Sequence, residues 1–132
     1  MNKTTFVIGI VFGVTAIVLG AFGAHGLEEV LSDSQLDTFE TGVKYQMYHA
    51  LFLIIVSQLK SISPKYRKTV MYLTTIGILL FSFSIYFLAT NELTGFDFKT
   101  IGFITPIGGL LLILAWVLLG LGVIKFKTTR GD

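Results

Sequence analysis

Three stretches without a single charged side chain dominate this sequence: Thr4–Ala24, Thr69–Asn91 and Thr100–Ile124, of 21, 23 and 25 residues. A membrane-crossing helix needs about 20 predominantly apolar residues, so each qualifies on its own. Composition points the same way. Hydrophobic residues make up 53% of the 132-residue chain and charged ones 14%, against about 25% charged in a soluble domain. One small aqueous core cannot hide that much apolar surface.

A fourth segment, Tyr45–Leu59, has 15 uncharged residues flanked by Lys44 and Lys60. It spans if both lysines extend their stems and place their ammonium groups at the interface; a re-entrant segment is the alternative. Charge distribution favours spanning. With spans at about 4–24, 43–59, 69–91 and 105–124, one side holds Lys3, Lys60, Lys65, Arg67, Lys68, Lys125, Lys127 and Arg130, eight of the ten basic residues. The other side holds Lys44 and Lys99 with seven of the eight acids: Glu28, Glu29, Asp33, Asp37, Glu40, Glu92 and Asp97. Basic loops stay cytoplasmic. The expectation is an all-α, integral-membrane four-helix bundle in a single transmembrane domain of the cell membrane, with both termini inside. Cleavage of the first segment as a signal peptide is the rival reading, but its apolar run exceeds the usual 7–15 residues of a signal core.

Helix packing is foreshadowed by Gly9, Gly13, Ala16, Gly20 and Ala24, a small-residue stripe along the first span. Such stripes let two backbones approach closely; the partner is either another span or another copy. In the fourth span Thr105 is read as the helix cap and Pro106 as its first residue, followed by Gly108 and Gly109. Between the first two spans, Leu36, Phe39, Val43 and Met47 recur at helical spacing. This predicts an amphipathic interfacial helix that runs on into the second span. Phe96, Phe98 and Phe103 mark a second interfacial segment.

Few residues carry chemistry. His25 follows the first span; Tyr45, Gln46 and His49 share one face of the second; Ser82, Ser84 and Tyr86 lie in the outer half of the third. Polar groups inside a membrane are expensive unless paired, so the seven are expected to converge as an outer-leaflet polar cluster. That cluster reads either as a site for an ion, proton or small molecule, or as hydrogen bonds that pin the bundle. His25 and His49 are weak metal candidates, because their spacing matches no zinc motif. Catalytic and phosphate-binding motifs are not found, cysteine is absent, and no cofactor is called for. The partners expected are the lipid bilayer and, beyond it, a second copy or other membrane proteins. Nucleic acid is not expected.

Two stretches carry a family resemblance: Gly20-Ala21-Phe22-Gly23-Ala24-His25-Gly26-Leu27, and Phe39-Glu40-Thr41-Gly42-Val43-Lys44-Tyr45-Gln46-Met47-Tyr48-His49-Ala50-Leu51. With Phe81–Tyr86 and Thr105–Gly109, the sequence resembles the small membrane proteins catalogued as domain of unknown function 423. These include YgdD-like and YwdK-like proteins, with animal transmembrane protein 256 as a relative. Phe83 departs from the pattern, standing where a small residue is expected. The resemblance implies a four-helix membrane protein and supplies no catalytic residues. The leading functional reading is a non-enzymatic structural or accessory membrane protein. Its rivals are a subunit of an oligomeric transporter or channel, and a metal-binding protein or enzyme built on His25 and His49.

Overall fold

A computed structural model describes the backbone of residues 1–130 and the side chains of residues 1–126. Gly131, Asp132 and the side chains of Lys127 and Arg130 lie outside the described residues. Four long helices account for most of the chain: α1 (Lys3–His25), α2 (Asp33–Gln58), α3 (Pro64–Ala89) and α4 (Ile104–Arg130). Short 3₁₀ turns at Asn91–Leu93 and Phe98–Ile101 bridge the last two.

The helix starts follow local capping chemistry. The Asn2 side chain accepts from the Thr5 backbone N–H at 3.0 Å and from its hydroxyl at 2.9 Å. Ser32 and Gln35 form a reciprocal capping box, with bonds of 2.8 and 3.2 Å, which satisfies two otherwise unpaired donors. Ser63 caps α3, with Pro64 in its first turn. Lys65, Arg67 and Lys68 therefore belong to the first turns of α3 rather than to a loop. The Arg67 guanidinium donates to the Leu59 carbonyl, tying that turn to the end of α2.

The amphipathic stretch after Ser34 and the second span are one unbroken helix. Phe39 packs on the Tyr86 ring at 4.9 Å between centroids, so even the polar half of α2 has its apolar face inside the bundle. At α4 the structure differs from expectation: the helix opens at Ile104, Thr105 is not its cap, and Pro106 stands inside the first turn. The cost is small, because first-turn N–H groups lack helical partners in any case.

α1 lies principally against α2, α2 against α3, and α3 against α4. Buried residues make up 44% of the apolar stretch of α3 but 22% of those of α1 and α4, so α2 and α3 form the centre. α1 and α4 flank them and turn large apolar side chains outward, among them Val14, Ile17, Val18, Leu110, Ile113 and Val117. In water such a jacket would drive aggregation; in hydrocarbon it is the matched surface. α1, α3 and α4 are long and apolar enough to cross a membrane.

Glycines set the close approaches. A Cβ on Gly9 would stand 2.9 Å from the Ala50 carbonyl oxygen, one on Gly20 3.2 Å from Val43, and one on Gly23 2.8 Å from the Phe39 ring. Ala16 is fully buried on the same seam. The partner of the α1 stripe is therefore α2 of the same chain. Ala24 is not part of this seam: it is exposed, and Gly23 makes the contact instead. At the α3–α4 seam, a Cβ on Gly108 would sit 2.6 Å from the Leu80 carbonyl carbon, whereas Gly109 has room, with Phe81 at 3.5 Å. Between them α3 widens into a π-helical turn, Leu79–Phe83. Phe83, the departure noted in the sequence, is partly buried and packs edge-on to Tyr86 at 5.4 Å.

Candidate functional site

The polar residues of the spans resolve into separate contacts instead of one cluster. The most deeply buried centres on Gln46, which is 0% exposed. Its amide nitrogen donates to the Phe12 carbonyl at 2.9 Å and to the Thr15 hydroxyl at 2.7 Å. Its amide oxygen accepts from the Tyr86 hydroxyl at 2.6 Å. Both amide protons are thus used and the oxygen is engaged, so one side chain links α1, α2 and α3.

His49 lies one turn further along α2. Its Nδ1 is 2.7 Å from the Tyr45 carbonyl, and the Trp116 indole N–H of α4 donates to Nε2 at 3.2 Å. An indole nitrogen only donates. Nε2 is therefore the acceptor, and the proton sits on Nδ1, directed at Tyr45. Trp116 also packs on Phe52 at 4.3 Å. Tyr45 is partly exposed; its ring lies near Phe81, at 5.1 Å, on the wall of an open groove that Gly109 and Trp116 complete.

The third contact joins α3 to α4. The Ser84 hydroxyl lies 2.6 Å from the Leu80 carbonyl and 2.9 Å from that of Phe81, and 2.6 Å from the Thr105 hydroxyl. With the Ser84 proton aimed at the carbonyls, Thr105 is the donor to Ser84. This hydroxyl pair sits just where the π-turn disturbs the backbone ladder, a place where spans commonly need extra partners. Ser82, in the same turn, is 0% exposed and its hydroxyl has no hydrogen-bond partner among the described residues.

His25 stands apart from all of these, exposed at the end of α1. Antiparallel pairing explains why. Gly9 faces Ala50, Gly20 faces Val43 and Gly23 faces Phe39, which sets His25 level with about residue 37 of α2. At about 1.5 Å per residue, His49 is about 18 Å away along the axis. His49 instead lies level with the middle of α1, so the two imidazoles are not at one membrane surface. Among the described residues, no three His, Asp or Glu side chains come together in a way that could hold a metal ion.

Thr15, Thr105 and Trp116 belong to these contacts and were not placed there by sequence. Thr15 was discernible as an isolated hydroxyl within the first apolar stretch. Trp116 is the single tryptophan, but nothing local ties it to an imidazole 67 positions away.

An all-helical bundle with an apolar exterior and a few mutually satisfied polar contacts inside defines a small multi-pass membrane protein. Comparison with known proteins agrees. Residues 19–109 match the family model described as protein of unknown function (DUF423). A UPF0382 membrane protein of Staphylococcus epidermidis is 37% identical over 124 residues, covering 94% of this chain and 98% of the relative. The UPF0382 membrane protein YwdK of Bacillus subtilis is 37% identical over 126 residues, with the same coverages. A UPF0382 membrane protein of Haemophilus influenzae is 38% identical over 116 residues, covering 88% and 90%. The chain belongs to the DUF423 family of membrane proteins. No solved structure matches it.

Proposed function

We propose that this chain is a non-catalytic structural or accessory protein of the cell membrane, crossing it four times with both termini in the cytoplasm. The observation that carries the reading is the saturation of Gln46 and His49. Both amide protons and the amide oxygen of Gln46, and both ring nitrogens of His49, are committed to partners on neighbouring turns and helices. Neither side chain keeps a group directed at a substrate, and His49 cannot ligate a metal without giving up Trp116 or Tyr45. A pinning role accounts for these residues; a reacting one does not.

Four crossings are supported by α2 pairing with α1 along its length, with contacts from Phe39 to Ile54. A helix of 26 residues is about 39 Å long, enough to cross hydrocarbon about 30 Å thick. The basic residues at the α2–α3 turn and the start of α1 support the cytoplasmic assignment of that end.

Replacing His49 by Ala tests the reading. Under it, membrane abundance or thermal stability falls, and cells carrying the variant behave like cells with less protein; restoring abundance restores the phenotype. A fully abundant, normally stable His49→Ala protein that has lost its cellular effect would show a chemical role instead. His25→Ala is expected to leave stability unchanged. A tag after residue 132 that labels only from outside the cell would reverse the orientation.

A further inference from the structure

At the end of the bundle where α1 and α3 both begin, an open groove of about 370 Å³ lies between them. The Asn2 backbone N–H donates to the Ser57 carbonyl at 2.9 Å, which seats the start of α1 on the last turn of α2. The polar lining of the groove offers donors. The Lys68 ammonium stands over the Tyr72 ring, 6.0 Å from its centroid, and has no carboxylate partner among the described residues. The Asn2 amide oxygen takes both the N–H and the hydroxyl of Thr5, and the amide nitrogen has no partner among the described residues. Met71 and Tyr72 supply an apolar wall.

The charge around this groove has one sign. Lys3 and Lys65 stand in the adjoining first turns, with Lys60 and Arg67 at the same end. Seven of the eight acids lie at the opposite end, and the eighth, Asp132, is outside the described residues. A ligand here must bring acceptors and negative charge to the level where the polar end of the bundle meets its apolar surface. A phosphodiester carried on an acyl chain does both. We propose that the groove binds a phospholipid whose headgroup is net negative, with its phosphate oxygens accepting from Lys68 and Asn2 and its chain against Met71 and Tyr72. Basic recesses between membrane helices suit such headgroups. A zwitterionic lipid shares the phosphate but adds an ammonium, which finds no carboxylate here and is repelled by Lys68. A free phosphate ion shares the charge but leaves the apolar wall unused. The inference goes beyond the accessory role and rests on neither that role nor the orientation, since the groove and its charges are the same in either leaflet.

The test titrates short-chain phosphatidylglycerol or phosphatidylcholine into the purified full-length chain in nonionic detergent, reading the thermal midpoint by Trp116 fluorescence. Salt at about 0.15 M screens charges more than about 8 Å away and leaves contact pairs. The expected result is saturable stabilisation with phosphatidylglycerol bound about fivefold tighter, the worth of one basic residue beside an anionic headgroup. Lys68→Gln should erase that preference. Lys65→Gln, one turn earlier on α3 and not lining the groove, should leave it within about twofold. Thr4→Trp fills the groove from an exposed position without changing charge, and should abolish saturable binding. Equal binding of the two lipids by the unmodified chain overturns the proposal. So does an equal loss from Lys65→Gln and Lys68→Gln, because the attraction would then be diffuse. Inorganic phosphate alone is expected to give no stabilisation; a shift matching that of the lipid would make this a site for a soluble anion and overturn the proposal too. Should Thr4→Trp fail to fold, the two lysine changes, both at exposed positions, still decide the question.

Discussion

Replacing Gln46 by Met keeps the volume and removes every hydrogen bond of the central contact. Three partners lose it: the Phe12 carbonyl, the Thr15 hydroxyl and the Tyr86 hydroxyl. Two are spared an orphan state, because the Thr15 hydroxyl still donates to the Val11 carbonyl at 2.9 Å and the Phe12 carbonyl still accepts from Thr15 at 3.2 Å. Tyr86 is not spared. Its hydroxyl is buried and Gln46 is its acceptor. Side-chain hydrogen bonds between membrane helices are worth about 0.6 kcal/mol on average and up to about 1.7, and an orphaned buried donor adds about 1 kcal/mol or more. The expected cost of Gln46→Met is therefore about 2 kcal/mol, and that of Tyr86→Phe about 1 kcal/mol. In the Gln46→Met background Tyr86→Phe removes the orphaned hydroxyl and its penalty, so the double variant should cost about 1 kcal/mol rather than the sum of about 3 kcal/mol, a coupling of about 2 kcal/mol. Equilibrium unfolding in mixed micelles, followed by Trp116 fluorescence, measures all three. Additivity within about 0.3 kcal/mol would refute the claim that this contact ties α2 to α3.

Two adjacent glycines should behave oppositely. Gly108→Ala forces its Cβ against the Leu80 backbone, which cannot step aside, and is expected to destabilise by about 3 kcal/mol, whereas Gly109→Ala meets ordinary contact and should change the thermal midpoint little. Ser82→Ala removes a buried hydroxyl that has no partner among the described residues, so it should be neutral or stabilising by up to about 1 kcal/mol; a clear loss of stability would mean that this hydroxyl has a bonded role.

The nature of the chain was legible because solvent matching is a property of sequence windows. Charge-free runs of 21 to 25 residues need hydrocarbon wherever they pack, and α1, α3 and α4 coincide closely with them. The caps at Asn2, Ser32 and Ser63 are also local, each accepting from a backbone N–H three residues on, but the charge boundaries used to place the spans did not reveal them. The start of α4 was misread for a reason that is not local: Thr105 has a partner, Ser84, 21 residues away, and that contact displaces the capping role.

The polar residues show where sequence reasoning stops. Intramembrane cost says that His25, Gln46, His49, Ser84 and Tyr86 need partners, but it does not say which. Register between antiparallel helices settles that, and the register here follows from which glycines admit which neighbours: Ala50 over Gly9, Phe39 over Gly23, Leu80 over Gly108. Those contacts lie between helices, beyond the reach of any periodicity within one. The sequence alone determined that the chain is a membrane-embedded set of helices with basic and acidic ends, because burial in lipid and charge are additive along the chain. Only the tertiary structure decided that Gln46 and His49 are tied down by different neighbours and that His25 lies apart from both, because hydrogen bonds depend on angstrom-scale positions that side-chain interlocking sets.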